Sequence, residues 1–174
     1  GPGVAAALLV LGALLMYAYH MAWTGGDFGV LLHGDERRYY LPGGLAILDQ
    51  GLSWFLEDRS LWTGPLNPLW VATLGANVPL VKTANIGLFV VAGWFTWDTG
   101  RRLFGTTAAI ISLGMFITYV PFYRFLPTLL TEPVFVFLLA AAVWPVVRLN
   151  PAAISFIAAV RLAANSTFTS SARA

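Results

Sequence analysis

The chain has 174 residues, of which 58% are hydrophobic, 14% aromatic and only 10% charged, with a mean hydropathy of +0.74 and a formal net charge of +2. A typical soluble chain is roughly a quarter charged, so ten Lys and Arg with eight Asp and Glu cannot coat a water-soluble globule of this size. Disorder, coiled coil and nucleic-acid binding are excluded with it, and the absence of cysteine removes disulfides, thiolate nucleophiles and Cys-based metal sites. What remains is an all-α, multi-pass membrane protein, with a lipid bilayer as its first partner.

A transmembrane helix needs about 20 mostly apolar residues. Residues 4–23 meet that length with one His and no charge. They have neither the basic n-region nor the short apolar core of a signal peptide, so they are expected to be the first span. Residues 24–82 then form a long loop holding Asp27, Asp35, Glu36, Asp49, Glu57 and Asp58, six of the eight acids. Within it, 39–48 and 52–56 read as short amphipathic helices. The apolar run 69–81, interrupted by Gly75, Asn77 and Pro79, suits an interfacial or re-entrant segment. Trp54, Trp62 and Trp70 fit an interface belt.

Three further spans are expected over 84–104, 106–122 and 132–149. The first ends in Arg101-Arg102, with Asp98 placed to pair with them at i+3 and i+4. Gly105 breaks the chain before the second. A turn over 123–131 with Arg124 and Pro127 precedes the third, and Arg148, Asn150 and Pro151 close it. Residues 151–174 hold a 13-residue apolar piece, too short to span, and a polar tail. The expectation is therefore four to five spans, with interfacial or re-entrant helices in the first loop.

The short-loop arginines set orientation. Arg101, Arg102 and Arg148 fall inside, whereas the 24–82 loop and the 123–131 turn fall outside. Asp35, Glu36 and Glu132 then share the outer face. Glu132 opens its span in Thr131-Glu132-Pro133, where an acid favours the helix dipole and Pro fits the first turn. Capping is one reading of Glu132, and a functional carboxylate at the membrane surface is the other. For Asp35-Glu36-Arg37-Arg38, the bland reading is a solvated loop. The functional one is a general base for a hydroxyl acceptor, or a divalent-cation ligand with Asp35 as its donor. A divalent metal ion is the one cofactor these residues suggest.

The ordered strings Gly34-Asp35-Glu36-Arg37-Arg38-Tyr39-Tyr40-Leu41, Leu48-Asp49-Gln50-Gly51, Pro65-Leu66-Asn67-Pro68-Leu69-Trp70, Arg101-Arg102-Leu103-Phe104-Gly105 and Leu130-Thr131-Glu132-Pro133 extend the reading. Together they resemble the N-terminal part of the GT-C membrane glycosyltransferases, in the protein O-mannosyltransferase and aminoarabinose-transferase-like group. The resemblance spans residues 1–150 as an N-terminal transmembrane module. It implies transfer of a sugar from a polyprenyl-phosphate donor to an acceptor outside the cell (inner or plasma) membrane. It also implies that Asp35 is the catalytic or metal-positioning carboxylate, with Glu36 beside it and Glu132 supporting. Arg37, Arg38, Lys82 and Arg124 are the candidates to steady the donor phosphate.

The resemblance also has departures. Thr63-Gly64-Pro65 stands where some relatives have an acidic-Lys-Pro string, and nothing after Asn150 reproduces the family's later spans. Two readings follow. One is the catalytic module of a glycosyltransferase. The other is a shortened, non-catalytic GT-C-like subunit held in a larger membrane complex with other membrane subunits. His33 reads as an ordinary loop histidine and His20 as interfacial. Asn165-Ser166-Thr167 matches a glycosylation triplet on the side expected to be inside, and it is discounted.

Overall fold

A computed structural model describes residues 1–31, 33–56, 64–125, 127–150, Ser155 and Ala159. The apolar piece and tail over 151–174, apart from those two residues, lie outside the described residues, as do Glu57, Asp58, Arg59 and Trp62. Every regular element among the described residues is helical. Three helices are long and apolar enough to cross a membrane, and a fourth apolar helix is shorter. The chain is an all-α membrane protein.

Helix α1, Pro2–Trp23, is apolar nearly throughout. After it the chain runs irregularly to a π-helical turn, Glu36–Tyr40, that feeds directly into α2, Leu41–Gln50. A 3-10 turn, Gly51–Leu56, ends this stretch. Helix α3, Leu66–Thr73, packs across α2. Gly44 makes that crossing possible, because a Cβ there would lie 2.5 Å from Val71 Cγ1. A small cluster of Ile47, Trp54 and Ala72 seals the pair.

Helix α4, Val78–Phe104, begins six residues before the expected start of its span. The run 69–81 is thus not one interfacial segment, since its last residues are the first turn of the long helix. The physical signal is local. The Asn77 side chain accepts a hydrogen bond from Leu80 N at 3.1 Å and Pro79 occupies the first turn, both of which favour a helix start. At 27 residues the helix is about 40 Å long, longer than the roughly 30 Å hydrocarbon core. Lys82 consequently lies within a helix rather than at the end of a loop.

Gly105, at φ 90°, turns the chain into α5, Thr106–Thr118. This helix stops four residues short of the expected boundary at 122. Tyr119 adopts an extended conformation and Val120–Phe125 forms a separate short helix, α6. Pro121 lies in the first turn of α6, where its missing N–H costs nothing. The Tyr123 hydroxyl donates to Ile117 O at 2.6 Å, covering a carbonyl at the end of α5. Helix α7, Glu132–Leu149, follows with Thr131 as its cap residue.

Side-chain contacts fix the packing directions. His20 meets Lys82, while Leu9 lies against Gly93, so α1 and α4 are antiparallel. Phe116 stacks on Phe89 at 4.9 Å and Ala109 sits against Gly100, so α5 returns antiparallel to α4. Asn85 holds Thr128 just before α7, and Asp98 takes Trp144 near its end, so α7 runs parallel to α4. The core between α1, α4 and α5 holds Leu9, Met16, Phe89, Trp97, Leu113 and Ile117. Two ends result. One carries the loops and the start of α7, and the other carries Arg101, Arg102 and Arg148.

Candidate functional site

At the loop end, a buried polar network joins segments that are far apart in sequence. Glu36 is fully buried. One of its carboxylate oxygens accepts from His33 N and the other from Leu129 N, each at 2.7 Å. The Asn67 side chain donates to Leu129 O, and the Asn85 side chain donates to Thr128 O. Trp70 Nε1 in turn donates to Asn85 Oδ1 at 2.9 Å. Three side chains from the first loop, α3 and α4 therefore grip the backbone of residues 128–129. A buried backbone amide left without a partner would be costly, so this grip fixes the turn that leads into Glu132.

The clamp brings the two exposed carboxylates to one face. Asp35 precedes the π-helical turn and Glu132 is the first residue of α7, and both are exposed. Tyr40 lies within reach of both charges. Burial pushes its hydroxyl above the usual tyrosine value, the Thr131 hydroxyl opposes that shift, and the charges of Glu132 and Asp35 add to it. Beneath Tyr40 is a small apolar floor of Val71, Val81 and Leu129. His33 Nε2 and Asn67 Oδ1 are buried nearby with no hydrogen-bond partner among the described residues.

The five other sequence candidates divide by environment. Glu36 is enclosed as the latch between the loops. Arg37 is exposed and donates to Leu31 O at 2.8 Å, and Arg38 is exposed beside it. Arg124 is exposed, with its guanidinium 5.4 Å from the Trp23 ring. Trp23 lies edge-on to His33, which connects Arg124 to the same face. Lys82 is fully buried, its Nζ 3.1 Å from His20 Nε2 and donating to Val30 O. The charges of Glu36 and Asp27 act on it. Lys82 is thus an internal tie between α1, α4 and the first loop.

Tyr40, Thr131, Asn67, Asn85 and Thr128 were not singled out by sequence reasoning. A lone amide such as Asn85 inside an apolar helix was the available signal, because a polar group at that depth requires a partner. Among the described residues no three His, Asp or Glu side chains converge. The donor set is not that of a preformed divalent-cation site.

At the opposite end Asp98 is held as the i+3 and i+4 spacing predicts. Arg101 Nη2 and Arg102 Nε each donate to its carboxylate at 2.8 Å. Trp144 Nε1 adds a third bond at 3.0 Å from α7. Comparisons with protein families, curated proteins and solved structures found no match.

Proposed function

We propose that the chain is a GT-C-like glycosyltransferase module that moves a sugar from a polyprenyl-phosphate donor to an acceptor hydroxyl at its loop end. The observation that carries this reading is the buried network, Glu36 on Leu129 with Asn67 and Asn85 on the same turn, that ties the segment bearing Asp35 to the turn before Glu132. By the positive-inside rule the arginine end is cytoplasmic, which puts this face outside the cell membrane.

In this mechanism the acceptor oxygen attacks the anomeric carbon as the bond from that carbon to the donor phosphate breaks. Asp35, exposed and adjacent to the latch, takes the acceptor proton as general base. The departing phosphate carries negative charge away, and Arg37, Arg38 and Arg124 are the exposed cations available to it. Glu132 and the Tyr40–Thr131 hydroxyl pair orient the acceptor. Glu36 acts through position: it holds the 128–131 turn against the first loop. Lys82 is withdrawn into the helix packing and takes no part in phosphate binding.

The test is transfer of labelled sugar from polyprenyl-phosphate donors in membranes of the native host, comparing wild type with Asp35→Asn. Loss of a general base lowers the rate roughly 100-fold or more, with protein abundance unchanged. Undiminished transfer would overturn the catalytic reading and leave the non-catalytic subunit, which co-purifies with other membrane proteins in fixed ratio.

A further inference from the structure

Two basic side chains meet where the bundle joins the first loop, and the proposed chemistry uses neither. His20 lies in the last turn of α1 and Lys82 near the start of α4, and both are fully buried. Lys82 Nζ is 3.1 Å from His20 Nε2 and donates to Val30 O. The Phe28 ring adjoins both, its centroid 5.7 Å from Lys82 Nζ and 5.0 Å from the centre of the His20 ring. Val30 belongs to the segment that leads to Asp35 and Glu36. Arg37 holds the same segment at Leu31 O and Glu36 holds it at His33 N, while Lys82 ties it to a membrane helix.

Proton counting constrains the pair. An ammonium has three donors and no acceptor, whereas a neutral imidazole has one of each. A hydrogen bond between Nζ and Nε2 therefore needs one of the two groups to be uncharged. The charges of Glu36 and Asp27 act on Lys82, and an aromatic ring beside it also favours a cation. Both place the charge on Lys82. The imidazole is then neutral with its proton on Nδ1, an atom that is buried with no hydrogen-bond partner among the described residues. A second proton, on Nε2, would turn the acceptor into a donor and set two cations 3.1 Å apart. Burial removes the water that would screen them. The remaining titratable groups at this end face the neighbours of His20: Tyr123 meets Tyr19, while Arg124 and His33 meet Trp23. Helix α5 carries no titratable residue.

We infer that the His20–Lys82 pair is an acid-operated release for the first loop, in which a proton taken by His20 expels Lys82 from Val30 O and loosens the segment before Asp35. The loop end faces outside by the placement of the arginines, so the pair responds to external pH. The inference does not depend on the glycosyltransferase reading.

The experiment uses the full chain in lipid nanodiscs from about pH 8 to about pH 4, a range that brackets the ordinary imidazole value. Hydrogen exchange of peptides covering residues 27–36 is read by mass spectrometry and compared between wild type and His20→Gln at each pH. Intrinsic exchange chemistry and the titration of Asp27, Asp35 and Glu36 then cancel in the ratio. His20→Gln keeps an acceptor for Lys82 but takes no proton. The two proteins should exchange equally at the alkaline end, and wild type should be about tenfold faster at the acid end, the worth of a hydrogen bond to a charged group. Lys82→Met should exchange fast throughout. A ratio that does not change with pH would overturn the proposal. Nitrogen-15 NMR of histidine-labelled wild type tests it without altering the pair. The chain has two histidines, and the His20 signal is the one retained in His33→Gln. It should show the Nδ1–H tautomer at the alkaline end and gain its second proton as exchange of 27–36 accelerates. An Nε2–H tautomer, or an imidazolium across the whole range, would overturn the proposal.

Discussion

Glu36 accepts two backbone amides, from His33 and Leu129, in a fully buried position. Glu36→Ala leaves both without their acceptor and should cost about 2–4 kcal/mol. It should also speed hydrogen exchange at the Leu129 amide, which exchange monitored by mass spectrometry would read. An unchanged rate there would mean that the latch does not hold the turn. Tyr40 carries the opposite kind of sensitivity. Its raised pKa comes first from burial, then from the Glu132 and Asp35 charges. The folded state therefore holds the proton above the ordinary value of 10.0, while the unfolded chain releases it. The stability that this group supplies is complete below that value and is lost as pH rises through the higher folded one. An alkaline unfolding titration should show this loss diminished in Tyr40→Phe, with a remainder from Tyr123, whose pKa burial also raises. Neither behaviour was legible in sequence, where Glu36 and Asp35 look like equals; only the fold sends one inward and leaves the other exposed.

Among the elements, the crossing of α2 over α3 is the tightest test of packing. A methyl group at Gly44 would approach Val71 Cγ1 to 2.5 Å and Val71 Cβ to 3.0 Å. The β-branched valine has little rotamer freedom to retreat, so Gly44→Ala should destabilise by about 1–3 kcal/mol through overpacking. Adding Val71→Ala should recover part of that loss, and a double-mutant thermal series separates contact relief from general damage. Helix identities were readable because apolar runs of membrane length are unmistakable. Boundaries were less so. The start of α4 at Val78 depended on the Asn77 cap and on a home for the Lys82 charge, and that home is built by His20 and Val30, both distant in sequence. The break at Tyr119 separates α5 from α6 inside a run that remains apolar on both sides, so hydropathy alone passes over it.

For the whole molecule, the alternating directions of α1, α4, α5 and α7 place Asp35, Glu36 and Glu132 at one end and Arg101, Arg102 and Arg148 at the other, as the order of these residues along the chain anticipates. The Asp98 cluster was readable because it is local. The polar network at the other end was not, since it pairs residues 67 and 129, 85 and 128, and 36 and 129, which no spacing rule relates. Those pairings also impose an order on biosynthesis. Glu36 leaves the ribosome 93 residues ahead of the Leu129 amide that it binds, and α4, long and apolar enough to cross a membrane, is made in between. During that interval the first loop has its latch but nothing to fasten. A nascent chain stalled before residue 129 should therefore leave the 33–40 segment open to protease, and release of the stall should close it. Completion of the loop end thus reports that the chain beyond α4 has been made.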